Sequence, residues 1–303
     1  MTSSRAPSLK TDLYERITAR IVDDLSNGTR PWLKPWTATA PGPLGRPTRC
    51  NGEPYRGINV LLLWSEAAAR GFASPSWMTY RQALELGGQV RRGEAGTGIV
   101  YASAYEKTET TEAGVEEERS IPFLKAYTVF NADQVDGLPD RYKNTSTALP
   151  QPLAIDKAAE DFFLNTGAVI RHGGDRAYYA PGPDAIQLPQ PGAFQNADGY
   201  LSTKAHEVVH WTGHQGRLNR QFGQRFGDHA YAFEELVAEI GAAFICAELG
   251  VSAKVREDHA AYIATWLTVL KNDKRAIFTA AAHAQRAAVF LDTFQQAAEP
   301  LAA

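Results

Sequence analysis

The stretch His206-Glu207-Val208-Val209-His210 constrains this chain more than any other. Written as H-E-x-x-H, it makes sense only on a helix. Helical spacing puts positions i and i+4 one turn apart on one face, so the two imidazoles can grip one cation. A divalent cation held there lowers the pKa of a coordinated water, and Glu207 stands where it can take the proton. The plain alternative is two half-exposed helical histidines beside a surface glutamate. The residues that follow the motif argue against it.

A catalytic zinc keeps three protein ligands and one open position, so a third ligand is required. Metzincins place it at the last His of H-E-x-x-H-x-x-G-x-x-H. Gly213 fits that pattern, but Gly216 stands where the third His belongs. His214 continues the i+4 spacing, yet three His along one helix span about 12 Å, too far for one ion. His214 is therefore expected in the loop after the helix end that Gly213 marks. Gluzincins instead draw a Glu from a separate helix, with an acid one turn later supporting a ligand His. Glu235 and Glu239 have that relation in Phe233–Ile240, and Ala238 leaves room for close packing. We take Glu235 as the expected ligand and Glu239 as its support. Glu239, Glu234 and Glu248 remain competitors, although Glu234 points about 100° away from Glu235 and is expected to face solvent. Tyr231, Tyr262 and His283 are unranked candidates for an oxyanion donor.

At 303 residues the chain is long enough for two domains, and 44% hydrophobic with 21% charged residues is a globular composition. A net charge of −3 says nothing about partners, but its distribution does. Residues 1–105 carry 13 basic and 8 acidic side chains, residues 106–118 six acids and one Lys, and residues 151–303 13 basic and 17 acidic. A mildly basic first half is compatible with a polyanion. Cys50 and Cys246 lie far apart in sequence and build no disulfide framework, which fits a reducing compartment. The polar start is not a signal peptide, and no apolar run, Val60 to Trp64 included, is long enough to span a bilayer. The expectation is a cytoplasmic protein with no membrane partner.

Along the chain, Asp12 and Glu15 form a capping-box pattern for a helix ending at Gly28. A Pro/Gly-rich loop follows, then helices over about 57–70 and after Thr79. Residues 98–108 and 120–130 read as strands joined by a long, solvated acidic loop over 109–119. Pro139, Pro150 and Pro152 mark a linker, which sets the expected domains at 1–150 and 151–303. The second opens with a helix over about 152–165. Short strands follow around 168–171, 177–180 and 184–188, then the H-E-x-x-H helix from near Tyr200. Helices over 231–249, 258–272 and 274–297 complete it. The fold class is α+β: two domains, the second a small sheet plus metal-binding helices.

Trp32 and Trp36 sit in a Pro-bounded loop beside Arg30 and Lys34. Aromatics interleaved with cations suit single-stranded nucleic acid, because bases stack on rings while cations track phosphates. Arg46, Arg49, Tyr55, Arg56, Arg81, Arg91 and Arg92 complete the candidate DNA-binding set. The competing reading folds the Trp pair back onto the domain and leaves the arginines on a solvated face.

Several segments of the first half resemble the N-terminal domain of ArdC antirestriction proteins: Asn51–Asn59, Trp77–Gln82, Leu86–Glu94 and Tyr127–Asn131. The second half resembles the zincin domain of the same family through His206–His214, Arg217–Arg220 and Glu234–Glu239. The resemblance implies a plasmid-borne protein that helps incoming DNA escape restriction during conjugation. It also implies a first domain that binds single-stranded DNA and a metallopeptidase-like second. Zn2+ is the expected cofactor, with Mn2+ as another divalent candidate. The expected partners are single-stranded DNA and a protein substrate such as a restriction-system component. The rival from another class is a non-enzymatic DNA-coating protein with a structural metal site.

Overall fold

The computed structural model describes residues 12–32, 45–110, 116–142, 156–220, 229–251 and 260–296; for 102–110, 116–123, 260–262 and 296 the backbone alone is described. The first described element is helix α1 (Leu13–Ser26), capped by the Asp12 carboxylate, which accepts from Tyr14 N at 3.0 Å. Its Ile17, Ile21 and Leu25 recur at helical period and are buried, as an amphipathic helix requires. Strand β1 (Thr48–Arg49), helix α2 (Ile58–Arg70) and strand β2 (Ser76–Met78) follow. Helix α2 stops at Gly71, which takes φ 67° at its C-cap, a conformation that favours glycine. Helix α3 (Tyr80–Glu85) opens on a full capping box between Thr79 and Gln82. Strands β3 (Gln89–Val90), β4 (Thr97–Thr110), β5 (Glu116–Asn131) and β6 (Val135–Asp136) complete the first half.

One expectation fails here. The acidic stretch after residue 108 is not a long solvated loop, because the β4–β5 ladder continues through Glu109↔Glu117 and Thr110↔Glu116. Low apolar content does not prevent pairing when the backbone ladder simply extends a hairpin already in register. The short strands β1, β2, β3 and β6 were also not anticipated, since two or three residues carry no readable period. They form a sheet in the order β1-β2-β5-β4 and a separate β3-β6 pair.

The second half holds helix α4 (Lys157–Asn165) and strands β7 (Val169–His172), β8 (Tyr178–Ala180) and β9 (Ala185–Leu188), ordered β7-β9-β8. Helices α5 (Ala197–Thr212), α6 (His229–Glu248), α7 (Ala260–Asn272) and α8 (Ala276–Gln296) follow. Helix α6 is buried around its whole circumference from Glu234 to Ala247, packed by α5, α7 and α8.

The expected boundary near residue 150 lies outside the described residues. On either side of it the main hydrophobic core is continuous, joining Ile21, Leu25 and Leu63 to Phe244, Trp266 and Ala284. Helix α1 packs on α7 and α2 on α8. A second, smaller core gathers Met78, Ala83, Val90, Val135, Leu138 and Tyr142. Among the described residues, no helix is long and apolar enough to cross a membrane.

Candidate metal centre

Helix α5 starts three residues earlier than Tyr200, because the Asn196 side chain caps it by accepting from Gly199 N at 2.9 Å. Its last turns carry His206 and His210, whose Nε2 atoms lie 3.1 Å apart. Helix α6 comes close to this face because Gly241 offers no side chain toward Val209; a Cβ there would meet Val209 Cγ2 at 2.8 Å. The approach delivers Glu235, with Oε2 3.5 Å from His206 Nε2 and Oε1 3.4 Å from His210 Nε2. One atom from each of the three residues lies within 4.8 Å of the others, and all three residues are buried.

Two imidazole nitrogens and a carboxylate are a donor set that suits Zn2+ and neighbouring divalent transition metals. Ligands on one tetrahedral zinc stand about 3.3 Å apart, given bonds near 2.0 Å. The two imidazole nitrogens, 3.1 Å apart, lie near that spacing, and each has one Glu235 oxygen at 3.4 to 3.5 Å. The residues fit a divalent ion. Glu207 is buried beside His206 on the same helix.

Beyond these groups stand two further carboxylates. Glu239 Oε1 lies 3.2 Å from His206 Nδ1, an ion-pair approach one helical turn from Glu235, where the sequence places it. Glu234 contradicts its expectation of facing solvent. It is 3% exposed, and its Oε1 lies 3.2 Å from His210 Nδ1. Its orientation is the expected one; its surroundings are not, because α6 has no solvent face at this level.

The charge of Glu234 is met by Arg220, which sequence reasoning did not single out. The guanidinium donates to both Glu234 oxygens, at 2.9 and 2.8 Å, and also to Thr212 Oγ1 at 2.8 Å and Val209 O at 2.6 Å. Arg220 thus holds the C-terminal end of α5 and the acid behind His210 together. The available signal was the Arg217–Arg220 segment after the motif, whose Asn219 turns the chain back at φ 47°. Arg217 makes a parallel clamp: its guanidinium stacks 3.9 Å from the Trp211 ring centroid and pairs with Asp184.

The electrostatics follow from this packing. Burial works against a charge on His210, but Glu234 and Glu235 beside it prevail and raise its pKa to about 10. Burial would raise Glu235, yet His206 and His210 hold it well below the usual carboxylate range. Glu234 is likewise lowered despite burial, by His210 and Arg220. This is a pocket built to carry positive charge at its centre.

The remaining candidates fall elsewhere. Glu248 pairs with Arg46 at the far end of α6. His214 accepts from Gly216 N at 3.1 Å, in the loop after α5. His283 stands edge-on to Phe233 with Nδ1 2.9 Å from Arg286, and burial together with Arg286 and Arg220 lowers its pKa. Tyr231 lies one helical turn before Glu235 on α6 and is half-buried. The Tyr262 side chain lies outside the described residues.

Among the DNA-binding candidates, three are corrected. Trp32 is 1% exposed and packs edge-on against Trp266 at 5.8 Å, so its faces are unavailable to bases. Arg46 is drawn inward to Glu248 and Gln285 and lies over the Phe244 ring, 5.0 Å from its centroid. Tyr55 is buried beneath Arg49, and burial pushes its hydroxyl up to about 12. An apolar core shared across the two halves draws in the aromatic and amphipathic side chains of the connecting loop. Lys34 and Trp36 lie outside the described residues. Arg49 pairs with Glu53 at 2.9 Å and lines, with Arg141, a cavity of about 410 Å³. Arg81 pairs with Glu85, Arg91 pairs with Glu94, and Arg56 and Arg92 are exposed.

Both halves of the chain are similar to known proteins. Residues 11–130 match the family described as the N-terminal domain of anti-restriction factor ArdC, and residues 157–283 match the zincin-like metallopeptidase family. The crystal structure of the antirestriction ArdC protein from plasmid R388 in metal-free form superposes with a TM-score of 0.81 at 47% identity, covering 94% of this chain and 98% of that one. The Mn(II)-bound structure of that protein gives 0.76 at 46% identity, covering 95% and 99%. An uncharacterized protein of Sinorhizobium fredii, y4eC, is 39% identical over 99% of this chain and 97% of its own length. The DNA primase TraC of Escherichia coli is 40% identical over 95% of this chain, which spans only 28% of TraC.

Proposed function

This chain belongs to the ArdC antirestriction family, and from that premise we propose a plasmid-type antirestriction protein of the cytoplasm. It binds single-stranded DNA through its first half, carries a divalent-metal peptidase site in its second, and protects incoming DNA from host restriction during conjugation. The observation that carries the peptidase reading is the buried convergence of His206, His210 and Glu235 with Glu207 alongside. Three protein donors suit a catalytic site with a place left for water better than a closed structural one.

In this reading His206, His210 and Glu235 hold the ion, Zn2+ by preference of the donor set. Mn2+ is the alternative, in keeping with the Mn(II)-bound relative. The bound ion supplies Lewis acidity toward a water and a scissile carbonyl. Glu207 takes the proton of the attacking water and passes it to the leaving amine. Glu234 holds the His210 ring from behind through Nδ1, and Glu239 approaches Nδ1 of His206, so that Nε2 of each faces the centre. The substrate class is a protein of the restriction system.

Glu207→Gln tests this directly, because it removes the base and keeps side-chain size and both His ligands. The variant is expected to fold, retain metal and hold DNA, while hydrolysis and protection against restriction collapse. Full protection with metal still bound would sink the enzymatic reading and leave a DNA-coating protein on a peptidase-like scaffold.

A further inference from the structure

Among the described residues, two tyrosines on the β4–β5 hairpin stand half-exposed beside the main core. Tyr101 and Tyr127 are 53% and 47% exposed and belong to neither hydrophobic core. The strand register pairs Tyr101 with Lys125 and Ile99 with Tyr127, so all four side chains leave the same face of the ladder. The two rings meet diagonally across the strands, centroids 6.3 Å apart and planes at 85°. In this edge-to-face pair each tyrosine, about half exposed, keeps part of its surface open to solvent. Lys125, also exposed, stands across from Tyr101 and brings a positive charge beside the rings.

We propose that Tyr101 and Tyr127, with Lys125 beside them, form the stacking platform for unpaired bases of single-stranded nucleic acid. The inference rests on the single-stranded-DNA reading above and moves its aromatic contacts from Trp32, which is buried, to the sheet. An open π-face accepts any base, and a cation beside it tracks the phosphate. Bases in a duplex are already stacked and paired, so only an unpaired strand can lay a base in this corner.

The test uses the full chain and a fluorescein-labelled oligothymidylate, with binding followed by anisotropy across a salt series. Tyr101→Ala/Tyr127→Ala is expected to weaken binding roughly 5- to 150-fold for each base that loses its ring. The slope of affinity against salt should stay unchanged, because phosphate contacts set it. Tyr101→Phe/Tyr127→Phe keeps both rings and is expected to bind like the wild type. Ultraviolet cross-linking of the unmodified protein should place adducts on the peptides that hold residues 101 and 127. Wild-type binding that the alanine pair leaves unchanged, or adducts confined to other peptides, would overturn the platform and spare the DNA reading. A wild-type chain that binds no oligothymidylate would overturn both.

Discussion

The Nδ1 atom of His210 sits 3.2 Å from Oε1 of Glu234, an acid that adjoins the expected metal ligand Glu235 in sequence but reaches the opposite side of the imidazole ring. Adjacent helical residues diverge by about 100°. On these two helices that divergence puts one carboxylate at Nε2 and the other at Nδ1. With an ion held at Nε2, the second would accept the proton left on Nδ1 and keep the ring turned toward the ion.

The Glu234–Arg220 pair is buried on both sides, which sets its mutational signature. Arg220→Ala should cost about 3–5 kcal/mol, because it strands a buried carboxylate. Glu234→Ala strands the guanidinium and should also lower metal affinity roughly 10–100-fold through His210. Glu239→Ala should lower it by a similar factor through His206, and Glu235→Ala should abolish metal retention on dialysis. Urea unfolding with metal analysis of each variant separates these effects. Equal metal retention by the Glu234 and Glu235 variants would remove Glu235 from the ligand set.

Gly241 controls the distance between the two ligand-bearing helices. A methyl group at this position meets the stiff, β-branched Val209 at 2.8 Å, so Gly241→Ala should destabilise by about 1–3 kcal/mol and weaken metal binding. Adding Val209→Ala makes room for the methyl, and the pair should recover part of both losses. Strictly additive losses would show that this contact does not set the helix spacing.

Trp32 anchors the loop after α1 to α7 through Trp266, whose indole N–H donates to Ala232 O of α6 at 3.0 Å. Trp32→Ala should therefore act on the core, costing about 3–5 kcal/mol in chemical denaturation. The DNA affinity of the folded fraction should be unchanged. Normal stability with lost DNA binding would restore Trp32 as a contact residue.

Asp184 gives a pH signature away from the metal centre. Hydrogen bonds from Arg217 and Tyr179 hold its carboxyl down to about 2, Arg217 contributing most. A carboxylate lowered in the folded state adds stability that is fully present above its unfolded pKa of about 3.9 and is lost as pH falls through the folded value. The side chain is 38% exposed, so screening limits the effect to about 0.5–1 kcal/mol. The excess in Tm of wild type over Asp184→Asn should be constant above about pH 4 and fade toward pH 2. An excess that grew on acidification would contradict the assignment.

Much of the centre was legible in the sequence because its information is local. The i,i+4 spacing of His206 and His210 and of Glu235 and Glu239 places each pair on one helix face whatever the rest of the chain does. Helix ends at Gly28 and Gly71, and the Thr79 cap, follow from backbone preferences of single residues. The long ladder past Thr108 was not legible, since strand pairing depends on a partner rather than on apolar content.

What the sequence alone determined is which residues share a face; what only the tertiary structure decided is what that face meets. Glu234 leaves α6 in the direction expected of it, and it meets Arg220 and His210 because α5 and the turn after it fill the space assigned to water. Trp32 and Arg46 lie in a loop whose composition suits a nucleic-acid surface, but Trp266, Phe244 and Glu248, more than 190 residues away in sequence, draw them into the joint between the halves. Tyr101 and Tyr127 sit in a segment that reads as an ordinary strand, and only the register of β4 on β5 brings their rings together in solvent. Helical period and capping act over a few residues, whereas burial is a property of the whole packed chain.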